Sequence, residues 1–176
     1  ALLLWGCTKE VPPQLESGFA MSSDSLAFPN FASGYDGSVM DAELVHRMFG
    51  DAVCQGASSP CRLTPAARAF MNRANRAMGG GRCEGFAVMS SLFAEGRLAP
   101  ADFGGLTARE LSLEENTQLQ REIAYWFSTQ LVPQATSDRT KQYQAREVMP
   151  ALAEALGQDA KERWRLGIVR KKGKVI

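Results

Sequence analysis

The sequence predicts an α+β domain, a run of amphipathic helices followed by the first strands of an antiparallel sheet. Two observations predict it. From Ser38 to Leu156 apolar residues recur at three- and four-residue spacing, in segments bounded by capping residues and glycines. From Arg163 the period changes to two: Trp164, Leu166 and Ile168 alternate with Arg163 and Arg165, Lys171-Lys172-Gly173-Lys174 reads as a turn, and Val175-Ile176 starts a second strand. Two strands do not complete a sheet, so the reading expects a truncated domain with an open strand edge.

The elements follow in order. Residues 8–36 are rich in Pro, Ser and Gly and show no period, which reads as a tether or irregular arm with Phe28, Phe31 and Tyr35 as docking points. Ser38-Val39-Met40-Asp41 has the spacing of a capping box. Met40, Leu44 and Met48 follow on one helical face, Val45 and Phe49 widen it, and Gly50 ends the helix. Thr64-Pro65 is a helix start, a capping hydroxyl before a proline whose missing N–H does no harm there. That helix carries Phe70, Met71, Ala74, Ala77 and Met78 and stops at Gly79-Gly80-Gly81. The next begins at Cys83, with Phe86, Met89, Leu92 and Phe93 as its apolar face and Gly96 as its end. Pro100 and Gly104-Gly105 mark a loop. Residues 114–131 predict a helix with Leu119, Ile123, Phe127 and Leu131 spaced by four. Residues 138–147 predict another, and Pro150 to Leu156 a short one ended by Gly157.

Charge and composition narrow the function classes. Lys plus Arg is 20 and Asp plus Glu is 19, so there is no basic surplus of the kind a nucleic-acid surface needs, and no nucleic-acid partner is expected. The basic residues between Arg163 and Lys174 read as the solvated face of a hairpin. No apolar run approaches the roughly 20 residues of a membrane-spanning helix. There is one histidine, His46, no close second cysteine pair and no nucleotide-binding loop, so neither a metal nor a cofactor is expected.

The chain opens Ala1-Leu2-Leu3-Leu4-Trp5-Gly6-Cys7, an apolar stretch, a small residue and a cysteine. This resembles the lipobox at the end of a bacterial lipoprotein signal. The resemblance implies that residues 1–7 end a signal, that Cys7 is lipidated, and that the protein is exported and tethered to the membrane of a cell envelope. Cys54 and Cys61 flank a segment of small, turn-forming residues that can close into a disulfide in an oxidising compartment; two unrelated thiols remain the alternative. Cys83 is left over.

The informative segment is Gly79-Gly80-Gly81-Arg82-Cys83-Glu84-Gly85-Phe86-Ala87. Glycines permit a tight turn and the close approach of a substrate backbone, which makes Gly80, Gly81 and Arg82 the candidate substrate-binding residues. A helix N-terminus favours a thiolate, the nucleophilic form, and its free N–H groups can bind an oxyanion. Arg82 is expected to help hold that thiolate, and Gly85 to keep the first turn narrow beside the sulfur. Asn75 is the candidate oxyanion side chain. A buried, inert thiol is the alternative for Cys83.

The segment resembles the nucleophile helix of the papain-like cysteine hydrolases, in which a cysteine opens the helix, a small residue stands two places on and an aromatic next; here these are Cys83, Gly85 and Phe86. It is most similar to bacterial exported lipoproteins with a Gly-Gly-x-Cys-x-Gly-Phe/Met-Ala/Ser pattern, a likeness that extends from Met48-Phe49-Gly50 through Leu63-Thr64-Pro65 to Phe93. The resemblance implies that residues 37–176 are the N-terminal part of a papain-like domain. It also implies that Cys83 forms a thioester with a peptide or protein substrate. That family needs a histidine after the cysteine, and none follows Cys83, so the chain by itself is expected to be inactive. His46, which precedes Cys83, offers only a permuted dyad, against a plain helix-surface or core role. A cell-wall amidase or a transglutaminase-like acyltransferase would use the same chemistry. A non-catalytic lipoprotein module that binds a partner is the reading from a different class.

Overall fold

The structure, a computed structural model, describes residues 18–133 apart from 33, 36 and 57–59, together with residues 143–159. The chain divides into two units, Phe19–Lys141 and a second formed by Ala1–Gly18 with Gln142–Ile176.

The first unit is built from helices. Helix α1 spans Ala42–Phe49. Its N-cap is Asp41, whose carboxylate accepts from the Leu44 N–H at 2.9 Å. Ser38, expected to cap this helix, instead turns its hydroxyl onto the Tyr35 carbonyl at 2.7 Å. Helix α2 spans Pro65–Met78, with Thr64 accepting from the Ala67 N–H and Pro65 in the first turn. Helix α3 spans Cys83–Ala94. Two short 3-10 turns, Pro100–Phe103 and Ala108–Glu110, lead to helix α4, Thr117–Thr129. The expected start at 114 is corrected: Glu115 has a positive φ of 57°, and Asn116 caps the helix through the Leu119 N–H.

Helix α4 organises the packing because it buries residues toward two clusters. Ala124 and Phe127 join Met40, Leu44, Val45, Leu63, Ala74 and Met78 in the first. Leu119 and Ile123 join Met89, Phe93, Phe103, Leu111 and Leu113 in the second. Each large side chain fully removed from water contributes roughly 1.5–3 kcal/mol. Three ion pairs tie α1 and its N-cap to α4. Arg47 grips Glu122 through both nitrogens at 2.6 and 2.8 Å, and Arg121 bonds both Asp41 and Glu43. Glu122 also accepts from the Trp126 indole at 2.9 Å, so this largely buried carboxylate has three donors.

The α+β expectation is overturned. Among the described residues the only β pairing is an isolated antiparallel bridge between Cys54 and Leu63. The apolar faces of α1, α2 and α3 are covered by α4, helix on helix, so they need no sheet. The strands expected at Arg163–Ile176 and the helix expected at 138–142 lie outside the described residues, as does Cys7.

In the second unit, helix α5 spans Ala145–Gln158. Glu147 reaches back to accept from the Gln144 N–H at 2.9 Å. The two separate helices expected on either side of Pro150 are one: the helix runs through Pro150 and Gly157, although proline forfeits an internal hydrogen bond. Val148, Leu152, Ala155 and Leu156 form its half-buried stripe.

Candidate functional site

Helix α2 unwinds through three successive short turns, with the N–H groups of Gly79, Gly80 and Gly81 donating to the carbonyls of Arg76, Ala77 and Met78. Gly81 has φ of +110°, and any side chain there would collide with the Asn30 amide. The chain then enters α3 with Arg82 at the N-cap and Cys83 at the first helical position. No side chain caps this helix start, and the Phe86 N–H makes a helical bond to the Arg82 carbonyl at 3.1 Å.

Cys83 is exposed and is the free cysteine among the described residues. Its neighbours are locked in place. Arg82 is only 1% exposed. Its Nε and Nη2 donate to the Ser38 carbonyl at 3.0 and 2.5 Å, and its Nη1 donates to the Phe31 carbonyl at 2.6 Å. The guanidinium also lies 4.5 Å from the centre of the Phe31 ring. Its backbone N–H donates to Asn30 Oδ1 at 2.6 Å. Burial lowers the guanidinium pKa below the ordinary arginine value. Gly85 is buried against α4, where a Cβ would overlap the Ile123 carbonyl. Phe86 packs edge-on against Phe28, with ring centres 5.3 Å apart, and lies 6.0 Å from Phe31. Residues from the arm thus lace the start of α3 to the body of the unit.

Several expected roles are redistributed. Arg82 does not project toward a substrate; its guanidinium is committed to two backbone carbonyls inside the protein. Gly81 is covered by Asn30, whereas Gly80 is exposed on the turn. Gly85 serves helix crossing rather than space beside the sulfur. Asn75 clamps Met40: its Oδ1 accepts from the Met40 N–H at 2.7 Å and its Nδ2 donates to the Met40 carbonyl at 2.9 Å. His46 pairs with Asp51 at 2.7 Å on the surface of α1, not with Cys83.

Cys54 and Cys61 form a disulfide with Cα atoms 5.3 Å apart. Sequence reasoning missed Asn30, Phe31 and Ser38 as the residues that fix Arg82. Their signal is weak, because each acts through its backbone or a short amide across 44 to 52 positions. Among the described residues no three His, Cys, Asp or Glu side chains cluster to hold a metal, and no helix is long and apolar enough to cross a membrane. Comparison with protein-family models, with curated proteins and with solved structures finds no match.

Proposed function

We propose that this chain carries the nucleophile of a cysteine hydrolase, with Cys83 attacking the carbonyl carbon of an amide or ester in a peptide or protein. The carrying observation is a contrast: an exposed free thiol at the first position of α3, on a frame in which Gly81, Arg82 and Gly85 are all buried. A nucleophile needs a solvent-reachable sulfur held in one geometry. The likeness of Gly80–Ala87 to the nucleophile helix of papain-like hydrolases supports the same reading.

In the proposed step the Cys83 sulfur bonds to the carbonyl carbon and the oxygen becomes an oxyanion facing the N–H groups at the start of α3. The C–N or C–O bond then breaks, the leaving group takes a proton, and water resolves the thioester. The proton carrier is a group other than His46, which lies on α1 and makes its hydrogen bond to Asp51 rather than to Cys83. The same reading tethers the chain to a bacterial cell envelope through a lipid on Cys7.

A second reading is favoured by one observation. Gly81, Arg82 and Gly85 each have a packing role that requires no catalysis, which suits a non-catalytic module that binds a partner. Alkylation separates the two. As a nucleophile, Cys83 reacts with iodoacetamide near neutral pH at least about tenfold faster than glutathione does. A rate at or below that of glutathione removes the nucleophile and leaves the binding module.

A further inference from the structure

A recess of about 430 Å³, within the size range of small-ligand sites, opens between the start of α1, the start of α2 and the Cys54–Cys61 disulfide. Met40, Leu63 and Met71 supply apolar walls, and Arg62 and Arg68 stand on its lining. Both arginines are exposed and neither has an ion-pair partner among the described residues. The acid in the lining, Asp41, is already matched: it accepts from Arg121 and from the Leu44 N–H. The recess therefore presents two unmatched positive charges beside an apolar wall.

The backbone under these charges is held. The Gln55 N–H donates to the Arg62 carbonyl at 2.7 Å, the Thr64 N–H donates to the Val53 carbonyl at 2.8 Å, and the disulfide closes the same segment. Arg68 sits in the first turn of α2, its N–H bonded to the Thr64 carbonyl at 3.0 Å. Guanidinium forks match carboxylates in geometry as well as charge.

We infer that this recess binds a carboxylate that carries an apolar group, with Arg62 and Arg68 taking the carboxylate and Leu63 and Met71 the apolar group. A free N-acylated amino acid and the C-terminus of a peptide share this chemistry. The inference does not depend on Cys83, since none of these residues belongs to the segment around it.

The test is a titration of the full chain, followed by the amide NMR shifts of residues 40, 63 and 71, with N-acetylleucine and, as the uncharged control, N-acetylleucinamide. The expected result is saturable shifts with the acid and at least about tenfold weaker binding of the amide. The same loss is expected for the acid with the double variant R62Q/R68Q. A peptide ending in acetyl-Ala-Ala-Leu with a free carboxylate assigns the source: tighter binding than N-acetylleucine points to a peptide terminus, and equal binding to a small acid. Equal binding of acid and amide, or no saturable shift with either acid, overturns the inference, and the amide control holds even if the variant folds poorly.

Discussion

Arg82 spends two of its donors on the carbonyl of Ser38, a residue 44 positions earlier in the chain. That relationship sets the frame of the candidate site: it fixes the residue before Cys83 from inside the protein and leaves the sulfur outside. It also explains why Ser38 does not cap α1, because its carbonyl and hydroxyl are both turned away from that helix.

Lysine cannot reproduce this fork. Arg82→Lys keeps the charge but leaves at least one buried carbonyl without a donor, which costs about 2–3 kcal/mol of unfolding free energy. Urea denaturation of the variant measures it. A loss under about 0.5 kcal/mol, the range of an ordinary surface change, contradicts the assignment.

Gly85 and Gly157 make a matched pair of tests. Alanine favours a helix over glycine by about 1 kcal/mol. At Gly157 nothing among the described residues stands within 4 Å of an added Cβ, so Gly157→Ala is expected to be neutral or stabilising by up to that amount. At Gly85 the Cβ meets the Ile123 carbonyl of α4, and separating the helices costs about 1–3 kcal/mol, more than the propensity gain. Thermal melts of the two variants are expected to shift in opposite directions or, at Gly157, not at all.

Asp41 links stability to acid. Burial raises its carboxyl pKa, but the Arg121 guanidinium and the Leu44 N–H outweigh burial, and the net shift is downward. A carboxyl lowered by folding stabilises the protein above its unfolded pKa of about 3.9, and that stability is lost as pH falls through the folded value. Asp41→Asn keeps an N-cap, so its stability is expected to fall less steeply than wild type below about pH 4. Asp41→Ala removes the cap as well and costs about 1 kcal/mol at neutral pH. Since Asp41 is 42% exposed, added salt is expected to weaken its bond with Arg121.

The disulfide is a separate staple. Cys54→Ser with Cys61→Ser opens a short loop and is expected to cost about 2–3 kcal/mol by chain entropy. Reduction with dithiothreitol is expected to lower the wild-type melting temperature toward that of the double variant. An unchanged melt contradicts the contribution assigned to this bond.

Local signals in the sequence are legible where the partner lies within one turn. Thr64-Pro65 starts α2, Gly50 ends α1, Cys83 opens α3, and the spacing of Leu119, Ile123 and Phe127 marks the buried face of α4. The sequence is ambiguous where two residues compete for one local role. Ser38 and Asp41 both suit an N-cap, and a buried arginine far along the chain decided between them. Glu114 and Glu115 look helical, yet Asn116 caps α4 while also donating to the Phe103 carbonyl at 2.9 Å. The roles of Arg82 and Asn75 were hidden for the same reason: both bond backbone atoms 35 to 51 positions away, which periodicity does not register. The alternating residues after Arg163 lie outside the described residues, and in the first unit α1, α2 and α3 close their cores on α4 without a sheet.

The most direct test of the central claim is acyl transfer to Cys83 from p-nitrophenyl acetate, followed by release of nitrophenolate and by mass mapping of the acylated peptide. The account predicts a stoichiometric burst, an acetyl group on Cys83, slow turnover because His46 is not its base, and no burst in Cys83→Ala. Acylation of Cys83 no faster than that of glutathione, or a burst that survives Cys83→Ala, would contradict it.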